Sequence, residues 1–159
     1  MELLGLFDNS GIFLNKSIVR GDKNFNDGEN IKLTTVWIKC GDKYLVQKCS
    51  KQKGGEYAIS GGHVSFGNSS KEQAVIELNE ELGLEIDINS LKFLGNIYRS
   101  HAIFDVHIIE DDNLSSISFK LQESEVEAVY WMTKEQINQL ILNNEFRSSS
   151  KEQFEKFIK

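Results

Sequence analysis

Short apolar stretches with strand character recur along the chain and are separated by turn-forming residues. They are rich in Val, Ile, Phe, Tyr and Trp, which favour the pleated surface of a sheet. Turn signals such as Asn9-Ser10-Gly11 and Asp111-Asp112-Asn113 lie between them. The pattern predicts strands at Leu3–Phe7, Ile18–Arg20, Leu33–Lys39, Tyr44–Gln47, Leu91–Tyr98, Ala102–Ile109 and Val126–Met132.

Three segments carry the signals of helices, namely Ser70–Leu82, Thr133–Leu142 and Ser150–Ile158. The first has Ser69 or Ser70 as its N-cap, and Gly83 follows its last turn. The second opens on a capping box of Thr133 and Gln136. Strands precede, separate and follow the first helix, so we expect an α+β fold or a sandwich built on a mixed sheet. The long alternation of strand and helix that a Rossmann or barrel fold requires is missing.

Chain length and charge narrow the class of protein. The 159 residues suffice for one domain with a substantial core, and we expect a single domain over residues 1–159. The 18 Lys and Arg residues against 24 Asp and Glu give a net charge of −6, which disfavours duplex nucleic acid as a partner. No apolar run approaches the ~20 residues that cross a bilayer. The first residues lack the pattern of a signal peptide, so we expect a cytoplasmic protein with no membrane partner.

The two cysteines are expected to be free thiols. A hairpin that turns at Gly41-Asp42 places Cys40 beside the turn. It places Cys49 at the opposite end, near Thr34, which is too far away for a disulfide. The chain has no Cys-x-x-Cys motif and no Cys/His cluster with zinc spacing.

The first predicted helix carries Glu77, Glu80 and Glu81 on one arc beside its apolar face. One interpretation is a solvated acidic face. The other is a cluster of hard oxygen ligands for Mg²⁺ or Mn²⁺, which would offset the repulsion between like charges four residues apart. Spacing alone does not decide between the two interpretations. Gly61-Gly62, ahead of the helix, lets backbone approach a ligand closely and favours the metal site.

The segment 62–84 resembles the motif of the Nudix hydrolases, G-x5-E-x7-R-E-U-x-E-E-x-G-U, where U is a bulky aliphatic residue. Gly62 takes the first position, Glu77-Leu78 and Glu80-Glu81 follow in register, and Gly83-Leu84 closes the motif. Nearly the whole chain is similar to the branch of this family that is related to isopentenyl-diphosphate isomerase. The resemblance implies a Nudix-type α/β/α sandwich with a mixed central sheet.

The resemblance also implies an activity. Nudix enzymes of the MutT type are metal-dependent pyrophosphohydrolases, which cleave the diphosphate linkage of a nucleoside diphosphate derivative or a related small diphosphate by attack of water at phosphorus. By position, Glu77 and Glu81 would be the main ligands of Mg²⁺ or Mn²⁺, and Glu80 would bind the metal or its water. The carbonyl of Gly61 would complete the site. A late carboxylate would serve as a further ligand or as the base, and the candidates are Glu123, Glu125 and Glu127.

Two residues depart from the family motif. Asn68 stands where the first Glu is expected, and Ile76 stands where the Arg is expected. The family's Glu and Arg form an ion pair, and the loss of both charges leaves neither one unpaired. We expect retained hydrolysis because the metal ligands remain, and the alternative is a weakened enzyme that binds nucleotides or metabolites. Isomerase activity is not expected, because Gly61 occupies the position of the isomerase's catalytic cysteine.

Other side chains are weaker candidates. Lys48, Arg99 and Phe104 are candidates for substrate binding, and His63 follows the glycines where a histidine of the isomerase helps to bind metal. A lone histidine is more often a hydrogen-bonded loop residue. We expect a small-molecule diphosphate as substrate, although its identity depends on loops and pocket walls that one sequence does not specify. The sequence leaves a homodimer open.

Overall fold

A seven-stranded mixed sheet forms the centre of the protein, and the computed structural model describes all 159 residues. The strands are β1 (Leu3–Phe7), β2 (Phe13–Val19), β3 (Ile31–Cys40), β4 (Lys43–Cys49), β5 (Tyr57–Ala58), β6 (Gly61–His63), β7 (Lys92–Arg99), β8 (Ala102–Glu110) and β9 (Val126–Thr133). The helices are α1 (Ser70–Leu82), α2 (Lys134–Leu142) and α3 (Ser148–Gln153), the last continued by a π-helical turn at Phe154–Ile158. Short 3₁₀ turns lie at Lys51–Lys53, Ile88–Ser90 and Leu114–Ser116.

The central sheet has the order β5-β4-β3-β8-β7, with β6 paired to β3 and β9 paired to β4. β3 and β8 run parallel, and the other pairs are antiparallel. β1 and β2 form a separate hairpin, which is tied to the loop before α1 by a bridge between Leu4 and Ser65.

Two apolar cores lie on opposite faces of the sheet. On one face, Val36 and Ile38 of β3 pack with Leu78 of α1. On the other face, Trp37 packs with Ile137 of α2 and with side chains from the C-terminal helical segment. Successive residues of a strand point to opposite faces, so β3 supplies both cores. The predicted α+β fold, an α/β/α sandwich with a mixed sheet, is thereby confirmed.

Helix α1 is held at both ends and along one face. Ser69 and Glu72 form a reciprocal capping box at its start. Gly83 ends it in a left-handed conformation with φ 64°, and a Cβ there would lie 2.8 Å from Cβ of Lys120. Leu78 and Leu82 are fully buried beneath it. The predicted bounds 70–82 are confirmed.

The pairing around β3 differs from the prediction. Cys40 lies opposite Lys43 as expected, but Cys49 lies opposite Val126 of β9 instead of Thr34. Thr34 pairs instead with Gly62, because β6 occupies that side of β3. The hairpin therefore keeps only its first two pairs, because β5 takes over the edge of β4 that faces β3, while β9 runs along the other edge of β4. Both cysteines are free thiols, as predicted.

Other bounds also differ. β2 begins at Phe13 instead of Ile18, and α3 begins at Ser148 instead of Ser150. The two short strands β5 and β6 were not predicted, because two or three residues are too few to show an alternating pattern. None of the helices has both the length and the apolar character needed to span a membrane.

Candidate active site

The two glycines of β6 bring backbone between β3 and α1. A Cβ on Gly61 would lie 2.2 Å from the carbonyl oxygen of Thr34, and one on Gly62 would lie 2.4 Å from Oε1 of Glu77. Real Cβ atoms do not approach other atoms so closely, so the backbone contact at Gly61 requires glycine, and a side chain at Gly62 would displace the carboxylate of Glu77. The carboxylate of Glu77 therefore lies directly against the backbone of the strand. This close approach fixes the distance between α1 and β6.

Glu81 is the most deeply buried carboxylate of the cluster, with 6% of its surface exposed. Its Oε1 accepts a hydrogen bond of 2.8 Å from the Ser60 hydroxyl. Burial raises the pKa of Glu81 to about 7, and the hydrogen bond from Ser60 opposes that shift. The negative charges of Glu77 and Glu125 raise the pKa further. Ionisation of Glu81 is therefore costly when no cation is bound. A bound cation would stabilise the ionised carboxylate.

Glu77 is half-buried and is oriented by an amide. The Nε2 of Gln73 donates to Oε1 of Glu77 at 2.9 Å. On its other side, Oε1 of Gln73 accepts from the Ser65 N–H at 3.1 Å and from Nδ2 of Asn68 at 2.9 Å. Because both loop groups donate, the Gln73 amide has one orientation only, with its NH₂ toward Glu77. Burial raises the pKa of Glu77, while the bond from Gln73 lowers it.

The two departures from the family motif have different surroundings. Asn68 is the loop end of the chain of hydrogen bonds from Asn68 through Gln73 to Glu77. Ile76 is 38% exposed and lies at the wall of a polar cavity, so it is not packed into an apolar core. A neutral amide network thus joins the loop to the helix in place of an ion pair.

Two adjoining cavities meet at the glycine strand. The acidic cavity, of about 310 Å³, is walled by the acidic face of α1, including Glu77, Glu80 and Ile76. The recess, of about 330 Å³, runs past Phe104 and Ile59 to Arg147 at the start of α3. They share Arg20, Lys53, Gly61, Gly62, His63, Glu81 and Glu125. A bound molecule can therefore extend from the carboxylates into the more apolar recess.

Of the three late carboxylates, the structure brings one to the cavities. Glu125 lines both and forms an ion pair of 3.3 Å with Lys53. Glu123 and Glu127 are exposed and line neither cavity. Glu125 is thereby placed beside Glu81, whose pKa its charge influences.

Of the three substrate-binding candidates, Phe104 lines the recess. Lys48 and Arg99 line neither cavity. The ammonium of Lys48 donates to the carbonyl of Gly55 and lies 4.7 Å from the ring of Tyr57. The guanidinium of Arg99 pairs with Glu152. Both cations are thus directed to partners elsewhere on the protein.

Several cavity residues were not identified from the sequence. Arg147 contacts Glu56 at 3.0 Å and reaches Sγ of Cys49 at 3.4 Å. Arg20 forms an ion pair of 2.9 Å with Glu2. They come from the end of β2 and the start of α3, far along the chain from the motif, and no local pattern marks them.

His63 lines both cavities, and burial together with the charge of Arg20 lowers its pKa.

The donor set fits a hard divalent cation. No three His, Cys, Asp or Glu side chains are already gathered around one point. Yet Glu77 and Glu81 are carboxylates that repel each other at the wall of the acidic cavity, and both offer oxygen ligands. A cation between them would relieve the repulsion and the cost of burial that raise the pKa of Glu81.

Comparison with known proteins places the chain in a family. The model of the NUDIX domain matches residues 33–157. The chain therefore belongs to the Nudix family of hydrolases.

Relatives and solved structures agree with this family. The chain is 29% identical over 152 residues to an uncharacterised Nudix hydrolase of Listeria innocua, covering 92% of this chain and 88% of that protein. It is also 29% identical over 123 residues to the nucleoside triphosphatase NudI of an Enterobacter species, covering 69% of this chain and 86% of the relative.

The fold is similar to that of DR0079 from Deinococcus radiodurans, with a TM-score of 0.80 and 18% identity over 99% of this chain and 100% of the other. The likeness to the isomerase branch is not tested by these proteins and stays a prediction.

Proposed function

We propose that the protein hydrolyses a phosphoanhydride bond, either the diphosphate linkage of a nucleoside diphosphate derivative or that of a related small diphosphate. The observation that carries the proposal is the position of Glu77 and Glu81. Both carboxylates lie at the glycine strand, where Glu77 lines the acidic cavity and Glu81 lines both the acidic cavity and the recess. The name of the Enterobacter relative, a nucleoside triphosphatase, supports a nucleotide as substrate.

We assign the binding of Mg²⁺ or Mn²⁺ to Glu77 and Glu81, with Glu80 and the carbonyl of Gly61 as further donors. When bound, such a cation neutralises phosphate charge and activates water. Ser60 holds the Glu81 carboxylate in place, and Gln73 does the same for Glu77. These neutral donors orient the carboxylates without competing for the cation's charge.

We assign the remaining roles by position. Glu125, which lines both cavities, is the candidate to accept a proton from the attacking water or to bind a second cation. Arg147, Arg20 and Lys53 supply positive charge to phosphate oxygens. Phe104 lines the recess in which the non-phosphate part of the substrate would lie. The partner is then a small molecule, with neither duplex nucleic acid nor a membrane required.

The test compares Glu81→Gln with Glu85→Gln. Release of phosphate or mononucleotide is measured with Mg²⁺ and with Mn²⁺ over nucleoside triphosphates, nucleotide sugars, dinucleoside polyphosphates and coenzymes, and Mn²⁺ affinity is measured separately. Glu81→Gln should lower turnover by orders of magnitude and weaken Mn²⁺ binding, because one hard ligand and its charge are lost. Glu85 is exposed, just beyond the end of α1, and its variant should behave as the wild type. Unchanged Mn²⁺ affinity and turnover in Glu81→Gln would refute the assignment.

The second candidate function is a binding module without catalysis, which the neutral Asn68 and Ile76 would favour. The hydrogen bonds from Asn68 through Gln73 to Glu77 keep the loop joined to the helix, and so the proposal of hydrolysis is preferred. Nucleotide binding by a protein that releases no product from any member of the panel would establish the binding module instead.

A further inference from the structure

A separate cavity of about 530 Å³, here called the aromatic cavity, lies on the α1 face of the sheet beside the first turn of that helix. Its floor comes from β3 and β8, with Lys32, Asp105 and His107, and its aromatic surface is contributed by Phe7, Phe13 and Phe93. It shares only Asn68 with the two cavities of the candidate active site. Its volume is typical of a site for a small molecule. Nothing in the proposed hydrolysis uses it.

The floor of the aromatic cavity offers an unused hydrogen-bond acceptor on His107. The residue is 1% exposed, and its Nδ1 lies 3.2 Å from the carbonyl oxygen of Thr35. A carbonyl only accepts, so Nδ1 carries the proton and Nε2 bears a lone pair. Nε2 has no hydrogen-bond partner in the protein. Burial lowers the pKa of His107, which keeps the ring neutral.

Asp105 adds a second acceptor at the same floor. Its Oδ2 accepts from the Lys32 ammonium at 2.9 Å and from the Ser70 hydroxyl. Its Oδ1 is buried and has no partner, which is costly for an ionised carboxylate. Asp105 lines the aromatic cavity, so a hydrogen-bond donor bound there would be the natural partner for this oxygen. Two acceptors that lack donors therefore lie beside one ammonium group.

The aromatic side chains favour a flat ligand. Phe13 and Phe93 are 42% and 49% exposed although they are large and apolar, and Phe7 lies 5.5 Å from Phe13 between ring centroids. Half-exposed aromatic rings around a cavity favour ligand binding, because a ligand that covers them removes apolar surface from water. The cavity also holds Lys32 and Lys71 against Asp105, a net charge of +1 with His107 neutral. Positive charge disfavours a cationic ligand.

We propose that the aromatic cavity binds a nucleobase, as part of a nucleoside or nucleotide, with the ring stacked on phenylalanine and an N–H donating to Nε2 of His107. A nucleobase combines a flat ring, N–H donors for His107 and Asp105, and carbonyl or ring-nitrogen acceptors for the lysines. The inference does not depend on the proposed hydrolysis, because the two sites have different walls. A ligand here would contact Ser69 and Ser70 at the start of α1, the helix that carries the active-site carboxylates.

The test titrates the ¹⁵N-labelled protein with adenosine, guanosine, cytidine and uridine, each without any divalent cation. At least one nucleoside should shift the amide signals of Gly11, Gly67 and Ser70, which line the aromatic cavity. Shifts confined to Gly61 and Gly62 would place the nucleoside in the candidate active site and would overturn the proposal. The absence of shifts at millimolar concentration with all four nucleosides would also overturn it.

Two variants and a control make the test specific. Phe13→Ala removes an exposed ring and should weaken binding about two- to tenfold, the value of one aromatic stacking contact. His107→Phe keeps an aromatic ring but removes both ring nitrogens, including the Nε2 acceptor, so it should also weaken binding. Tyr130→Ala removes a ring of similar exposure, 44%, that lines neither site, and should have no effect. If His107→Phe does not fold, the nucleoside affinity of Phe13→Ala tests the proposal by itself. Wild-type affinity in Phe13→Ala would refute the proposal.

Discussion

Replacing Glu81 by Gln should stabilise the metal-free protein, and the gain should depend on pH. Glu81 has an ordinary pKa of 4.5 when unfolded and about 7 when folded, chiefly because it is buried. Between these values the folded state holds the proton more tightly, so the stability that Glu81 contributes is complete below 4.5 and is lost as the pH rises through 7. At about 1.4 kcal/mol for each pH unit, the full loss is about 3 kcal/mol.

The substituted amide would remain neutral at every pH and would still accept the hydrogen bond from Ser60. Glu81→Gln should therefore raise the free energy of unfolding by about 3 kcal/mol near pH 8 and by less than about 1 kcal/mol near pH 5. Repulsion on an exposed helix face alone would change the free energy of unfolding by only a few tenths of a kcal/mol. A change of about 3 kcal/mol would therefore show that Glu81 is buried.

The assay is urea unfolding of both proteins with a chelator at several pH values between about 5 and 8. Glu85→Gln, at an exposed position, should show no pH-dependent difference from the wild type. A difference between Glu81→Gln and the wild type that stays flat with pH would show that Glu81 is not a buried ionisable group. Saturating Mn²⁺ should reverse the order of stability, because only the wild type keeps its full ligand set.

Three further substitutions each alter one contact, and the expected effect of each follows from that contact. Gly62→Ala places a Cβ against the carboxylate of Glu77, so Mn²⁺ affinity measured by electron paramagnetic resonance should fall about ten- to hundredfold while the circular dichroism spectrum stays unchanged. Gln73→Met removes the amide that donates to Glu77 without adding charge, and calorimetric titration should show Mn²⁺ affinity reduced by a similar factor. Arg99→Ala should leave turnover within about twofold and cost less than about 1 kcal/mol in thermal unfolding, because Arg99 forms an exposed ion pair with Glu152. A loss of activity in Arg99→Ala would instead mean that Arg99 leaves Glu152 to contact the substrate.

Local signals account for the parts of the fold that the sequence predicted well. Helix α1 has its caps, its apolar face and its carboxylates within one segment, 69–83, and so its bounds could be predicted to the residue. β5 and β6 are different, because their existence depends on β3 and β4 being in place. The predicted position of Cys49 was wrong for the same reason, since β5 takes the edge of β4 that was expected to continue along β3.

The residues of the candidate site also fall into two groups, those marked by the local sequence and those brought to the site by the fold. The carboxylates and glycines are contiguous with the motif, and their spacing predicted them. Arg20 and Arg147 reach the cavity through the tertiary structure, and nothing near them in the chain marks them. Gln73 is an ordinary polar residue of a helix until the structure shows that it is buried between Asn68 and Glu77. Asn68, which looked like a loss in the sequence, donates the hydrogen bond that joins the loop to Gln73.

The parallel pairing of β3 with β8 should delay the formation of the candidate active site while the chain is being synthesised. It joins Ile31 with Ala102 and Lys39 with Glu110, so each pair lies 71 residues apart in the chain. Contacts of such separation form late, because a long loop must close first. A nascent chain that ends before Ala102 carries every glycine and carboxylate of the motif, but it lacks the strand that supplies Phe104 and the neighbour of β3. We expect ribosome-bound chains to acquire Mn²⁺ affinity only after β8 has emerged from the exit tunnel.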